Sequence, residues 1–235
     1  MTSTTLLFLA SVIVIVDAIG IETNSLMRNV AYGSTCDQQA ENKIATCADE
    51  LSKMGIFGSS GKQTTLSEIK SHSQIHFVQM CSAYSRFNSC LGGSYIKQAC
   101  YSHEPMKSRY SVVDVVLEYI CGEGYQSMLN NWNCYLSVAE SQEIATCESS
   151  FAHLATNTEQ MYNDYSTGAG ACFAVQSYID CIRPAIEQTC GFESFNTVIE
   201  AVERPIQIYL PFCTLSSSAL SMIPTFVFAL VMFLL

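Results

Sequence analysis

Cysteine is the residue whose number and spacing stand out in this chain, and its side chain can serve as thiolate nucleophile, metal ligand or disulfide partner. Cys36, Cys47, Cys81, Cys90, Cys100, Cys121, Cys134, Cys147, Cys172, Cys181, Cys190 and Cys213 make an even set of twelve. None form a Cys-x-x-Cys pair, so neither a zinc ribbon nor a thioredoxin-type redox site is supported. An even set between two apolar termini reads instead as a disulfide framework. Oxidised cysteines supply no nucleophile, and no Gly-x-Ser-x-Gly elbow offers another.

The remaining chemical candidates are weaker. His72 and His76, four residues apart, can share a helix face as zinc ligands do, but no His-Glu-x-x-His glutamate lies between them and no third ligand is implied. They read as a solvated or core-edge pair, with His103 and His153 isolated. GIFGSSGK (55–62) imitates a phosphate loop, yet its glycine spacing is wrong and Gln63 stands where Ser or Thr is required. It reads as part of a surface loop over 55–65. No catalytic residue, metal site or cofactor is expected. Tyr84, Phe87, Tyr95 and Tyr101, with Tyr162, Tyr165, Phe173 and Tyr178, either line an apolar cavity, form a contact patch, or simply pack the core. The last is the plainer reading.

The elements that position the cysteines come in two copies. IATC occurs at 44–47 and again at 144–147, and the cysteines follow it. The first six have successive separations of 11, 34, 9, 10 and 21, the second six 13, 25, 9, 9 and 23. Ile44, Cys47, Leu51 and Met54 step as Ile144, Cys147, Phe151 and Leu154 do, the stripe of an amphipathic helix. Nine residues turn a helix by about half a revolution, so Cys81 and Cys90, like Cys172 and Cys181, face opposite ways. Each half therefore has a central helix stapled to a different neighbour on each side. Gly92-Gly93 and Pro184 are expected to interrupt these helices, leaving Cys100 and Cys190 on a following segment. Ser111-x-x-Asp114 and Thr197-x-x-Glu200 resemble capping boxes at the start of each last helix. Strand signals are weak.

The expected fold is all-α, a disulfide-stapled helical domain built from two pseudo-repeats of six cysteines each. The halves span 36–121 and 134–213, joined by a connection at 122–133 that holds Trp132 and is expected to pack rather than dangle. Six cysteines per half leave fifteen pairings open even if no bond crosses between halves.

The ends carry targeting signals. Residues 1–20, with an apolar run from Leu6 to Val16, read as a secretory signal peptide, followed by an N-terminal extension over 21–35. No charged side chain follows Arg204, and the chain finishes on an apolar run from Phe226. Small residues at Ser216 and Ser217, a spacer and that apolar tail read as a GPI-anchor signal over 214–235, with Ser216 or Ser217 as the attachment site. The competing reading is an uncleaved tail helix kinked at Pro224.

The twelve-cysteine rhythm, with a segment such as YIDCIRPAIEQTCG (178–191), resembles an uncharacterised extracellular domain family expanded in nematodes. It is similar, more faintly, to helical cysteine-rich glycoproteins of insect haemolymph. The resemblance covers about 36–213 and implies a disulfide-stabilised extracellular module, with no catalytic or binding residues to carry over. A net charge of −10 argues against nucleic acid and anionic headgroups as partners. The expectation is a non-catalytic surface protein, held on the outer membrane leaflet through a lipid anchor, that binds another cell-surface or extracellular protein. The alternatives are a secreted carrier of a small apolar ligand and a single-pass tail-anchored protein.

Overall fold

The computed structural model describes residues 36–57, 73–162 and 169–215. The signal peptide, the N-terminal extension, His72, Tyr165, most of the 55–65 loop, and Ser216 and Ser217 with the rest of the tail lie outside the described residues. Among the described residues the chain forms nine helices and no strand. They are α1 (Gln38–Cys47), α2 (Asp49–Lys53), α3 (Gln74–Leu91), α4 (Tyr95–Cys100), α5 (Val112–Ile120, entered through a π-helical turn at Lys107–Ser111), α6 (Tyr125–Ala139), α7 (Gln142–Tyr162), α8 (Ala169–Cys190) and α9 (Phe192–Tyr209). The all-α expectation is met.

The two IATC copies fold alike. Ile44 and Ile144 are fully buried, and Thr46 and Thr146 each donate their hydroxyl to the carbonyl four residues back, that of Asn42 at 2.8 Å and of Gln142 at 2.9 Å. Asp37 caps α1 by accepting from the Ala40 N–H at 2.8 Å, satisfying one of the donors that a helix start leaves free.

All twelve cysteines pair, and the pattern repeats. Cys36–Cys100, Cys47–Cys90 and Cys81–Cys121 join first to fifth, second to fourth and third to sixth. Cys134–Cys190, Cys147–Cys181 and Cys172–Cys213 do the same in the second half. Each half thus adopts the same one of its fifteen pairings. Central helix α3 is tied by Cys90 to α1 and by Cys81 to the residue after α5, as the half-turn spacing requires. Helix α8 is tied by Cys181 to α7 and by Cys172 to the segment after α9. Six disulfides belong to the oxidising environment of the secretory pathway or the cell exterior.

Where the chain turns, several local expectations need correction. Gly92 does end α3, in the left-handed conformation (φ 75°) that glycine enters without a Cβ penalty, and Cys100 falls on the next helix. Pro184 does not end α8, which runs on to Cys190. Its missing N–H orphans a carbonyl on an exposed side, where water can take it. Ile179, Ile182 and Ile186 meanwhile keep one buried stripe continuous past it. The two capping boxes do not cap. Ser111 sits in the π-helical turn with helical backbone angles and no capping bond. Thr197 lies inside α9, with its hydroxyl on the Glu193 carbonyl at 3.0 Å. Phe57, read as loop, is fully buried against Phe87 and Tyr110, with ring centroids 5.4 and 5.2 Å away.

The halves share one core. Between α5 and α6 the chain reverses so tightly that a Cβ on Gly122 would stand 2.5 Å from the Glu118 carbonyl oxygen. The connecting residues then form α6, where Phe77 of α3 stacks on Trp132 at 4.9 Å and on Tyr125 at 5.5 Å. On its other side, the Tyr135 hydroxyl donates to the Ser194 carbonyl at 3.1 Å, and the Ser127 and Thr197 hydroxyls meet at 2.6 Å. Helices α5 and α9 pack together, with Arg204 4.4 Å over the Tyr119 ring and paired with Glu123.

Candidate functional site

Two places carry side chains that a core does not need. The first is a buried charged cluster in the first half. Asp114 on α5 is 4% exposed, and Lys97 on α4 donates to its two carboxylate oxygens at 2.7 and 2.8 Å. The ammonium also lies 5.1 Å from the Phe87 ring centroid and 5.3 Å from that of Tyr84, close enough for cation–π attraction. The Tyr84 hydroxyl donates to the Asp114 main-chain carbonyl at 3.2 Å. Burial pushes the Asp114 carboxyl above its ordinary range, with Lys97 pulling the other way. Burial also raises the Tyr84 and Tyr101 hydroxyls far above the usual phenol value, and the Asp114 charge adds to it.

Lysine, aspartate and tyrosine are residue types that transfer protons in enzymes. Here the two charges neutralise each other beneath two aromatic rings, and the cluster clamps α4 and α5 to α3. No spacing pattern announces it, because the partners lie 17 residues apart across an irregular turn.

The second place is the edge where the fold ends. The Cys172–Cys213 bridge holds the start of α8 5.5 Å (Cα to Cα) from the segment after α9. Each cysteine has an exposed phenylalanine beside it, Phe173 at 62% and Phe212 at 91% exposure. Chain connectivity alone keeps their Cα atoms within about 13 Å of each other. Past Phe212 the chain is still packed: Leu215 is buried, and its N–H donates to Glu203 Oε1 at 3.2 Å. Packing therefore includes Leu215, the residue before Ser216.

The eight aromatics singled out from the sequence do not converge. Tyr84, Phe87 and Tyr178 are core, Tyr84 on Phe87 at 6.1 Å and Tyr178 on Phe151 at 5.4 Å. Tyr101 is half-buried, while Tyr95 and Phe173 are exposed. The side chain of Tyr162, like Tyr165, lies outside the described residues. His76 is half-buried on α3, and His103 and His153 are exposed. Among the described residues no cluster of three or more His, Cys, Asp or Glu is placed to hold a metal ion, and no helix is long and apolar enough to cross a membrane. Compared with known protein families, curated proteins and solved structures, the chain matches none.

Proposed function

We propose that the protein is a non-catalytic binding module of the cell surface, held on the outer leaflet by a GPI anchor at Ser216 or Ser217, with another surface or extracellular protein as its partner. The observation that carries this reading is the packing of Leu215. An anchor one or two residues further on leaves no stalk, so the domain lies against the membrane and meets neighbours on the same surface. The acidic composition and the resemblance to nematode-expanded extracellular domains fit such a role. The burial of Lys97 and Asp114 against each other, and of Tyr84, Phe87 and Tyr178 within the core, supports a binding rather than a catalytic or carrier role.

The test is surface expression of the full chain, tagged after residue 20, before and after phosphatidylinositol-specific phospholipase C. Release into the medium is expected. Retention with the tail still present by mass would replace the lipid anchor with a membrane helix. Soluble protein before any treatment would overturn surface attachment in favour of a secreted carrier.

A further inference from the structure

A large apolar side chain left in water at the end of a fold calls for a partner when a second stands beside it. The Cys172–Cys213 bridge keeps the Cα atoms of Phe173 and Phe212 within about 13 Å, on elements otherwise separated by the length of α8 and α9. On the chain's exit side residues 205–215 carry no carboxylate or basic side chain of their own, although Glu203 reaches the Leu215 N–H, and Pro211 and Thr214 are exposed beside Phe212. Four residues after Phe212 comes Ser216, and the apolar run from Phe226 follows.

We infer that Phe173 and Phe212 form the membrane-contacting edge of the domain, dipping into the headgroup layer of a zwitterionic lipid surface. This rests on the proposed membrane attachment at Ser216 or Ser217. The position of the chain's exit selects lipid over a protein partner, and the net charge selects a zwitterionic surface over an anionic one. Leu215, packed at this edge, directly precedes the proposed attachment residues Ser216 and Ser217, so with an anchor there this edge faces the membrane. The net charge of −10 disfavours an anionic surface, so insertion has to come from apolar side chains rather than from basic ones. Aromatic side chains at headgroup depth gain apolar burial without crossing the bilayer. Two rings bind a surface weakly by themselves, but an anchored domain holds them there at high effective concentration. The contact would fix the orientation of the domain, setting which of its faces is open to a partner.

The test places the photo-crosslinker benzoylphenylalanine at 173, at 212 or, as an exposed control in the other half, at Tyr95 (65% exposed). The full chain is displayed on cells fed an alkyne-tagged phosphatidylcholine and irradiated. Lipid adducts at 173 and 212 at least about tenfold above those at 95 are expected for rings within the headgroup layer. Adducts equal to the control, or adducts only to protein or to residues 226–235 of the same chain, would overturn the inference while the protein is membrane-bound. If the protein instead appears in the medium untreated, attachment has failed separately. The secreted chain is then irradiated in a large excess of phosphatidylcholine vesicles, to offset the weak affinity of two rings, where adducts at 173 and 212 sustain the edge and their absence ends it. Because Phe173 and Phe212 are exposed, comparable secretion and an unchanged non-reducing gel position are expected of all three variants.

Discussion

The two halves have the same disulfide connectivity and different interiors. Counted from the third and fourth cysteines, Tyr84 and Phe87 of α3 correspond to Val175 and Tyr178 of α8. Counted back from the fifth, Lys97 corresponds to Glu187. The first half encloses an ion pair beneath two rings. In the second, Asp114 corresponds, counted back from the sixth cysteine, to the buried Ile206, α8 buries Val175, Ile179, Ile182 and Ile186, and Glu187 pairs with Arg183 at 3.9 Å near the surface. The central helix differs as well, ending at Gly92 in one half and running through Pro184 in the other. A cross-linked frame that fixes which helices neighbour one another leaves the chemistry between them free to diverge.

If the frame is the shared part, removing equivalent staples should cost the two halves the same. The Cys47–Cys90 loop spans 43 residues and the Cys147–Cys181 loop 34, so chain entropy gives each about 4 kcal/mol and separates them by only about 0.2 kcal/mol. Cys47→Ala with Cys90→Ala, and Cys147→Ala with Cys181→Ala, are expected to lower the unfolding free energy in denaturant by nearly equal amounts. A gap above about 1 kcal/mol would mean that packing around the bridges, rather than closure of the chain, sets their value.

The interiors give the next largest effect, and it belongs to one half alone. Asp114→Ala leaves the Lys97 ammonium facing two rings without its counter-charge, and should cost about 3 kcal/mol. Removing both charges, with Lys97→Met and Asp114→Leu, imitates the apolar solution of the second half and should return stability to within about 1 kcal/mol of the parent. Thermal or urea unfolding decides it. A double variant no better than Asp114→Ala would show that this half, unlike its counterpart, depends on the charges themselves.

What could be seen in advance divides along the same line. The cysteine rhythm and the Ile44 and Ile144 stripes depend on local spacing, so the repeat, the all-α class and the two-sided stapling of α3 and α8 were all legible. The connectivity was not, because spacing constrains which face a cysteine takes but not which partner waits there. Local stop signals misled where tertiary packing outweighed them. Pro184 lies on the exposed side of a helix anchored by three buried isoleucines, and Phe57 directly precedes Gly58 yet fills the space beside Phe87. Thr197 had the spacing of a cap but spends its hydroxyl inside α9 and against Ser127. The Lys97–Asp114 pair and the Phe173–Phe212 edge are both made by long-range contacts, a turn in one case and a disulfide in the other, and neither leaves a period in the sequence.

The smallest expected difference between the halves is in their response to acid, and it turns on His76. This residue is half-buried on α3, one position before the Phe77 ring that stacks on Trp132 across the junction. Counted from the third cysteine, the second half has Thr167 in its place, which does not titrate in this range. Burial holds the His76 imidazole below its usual value of 6.5, so the folded chain favours the neutral ring. Below that value the unfolded chain binds the proton more readily. The contribution is therefore whole above about pH 6.5 and is lost as pH falls through the window beneath it. Urea midpoints at about pH 7 and about pH 5.5 should drop for the parent, and drop less for His76→Gln. Hydrogen exchange should locate the loosening at the start of α3 and the facing part of α6 rather than around α8. Equal drops in parent and variant would remove His76 from the account and leave the acid response to other titrating groups.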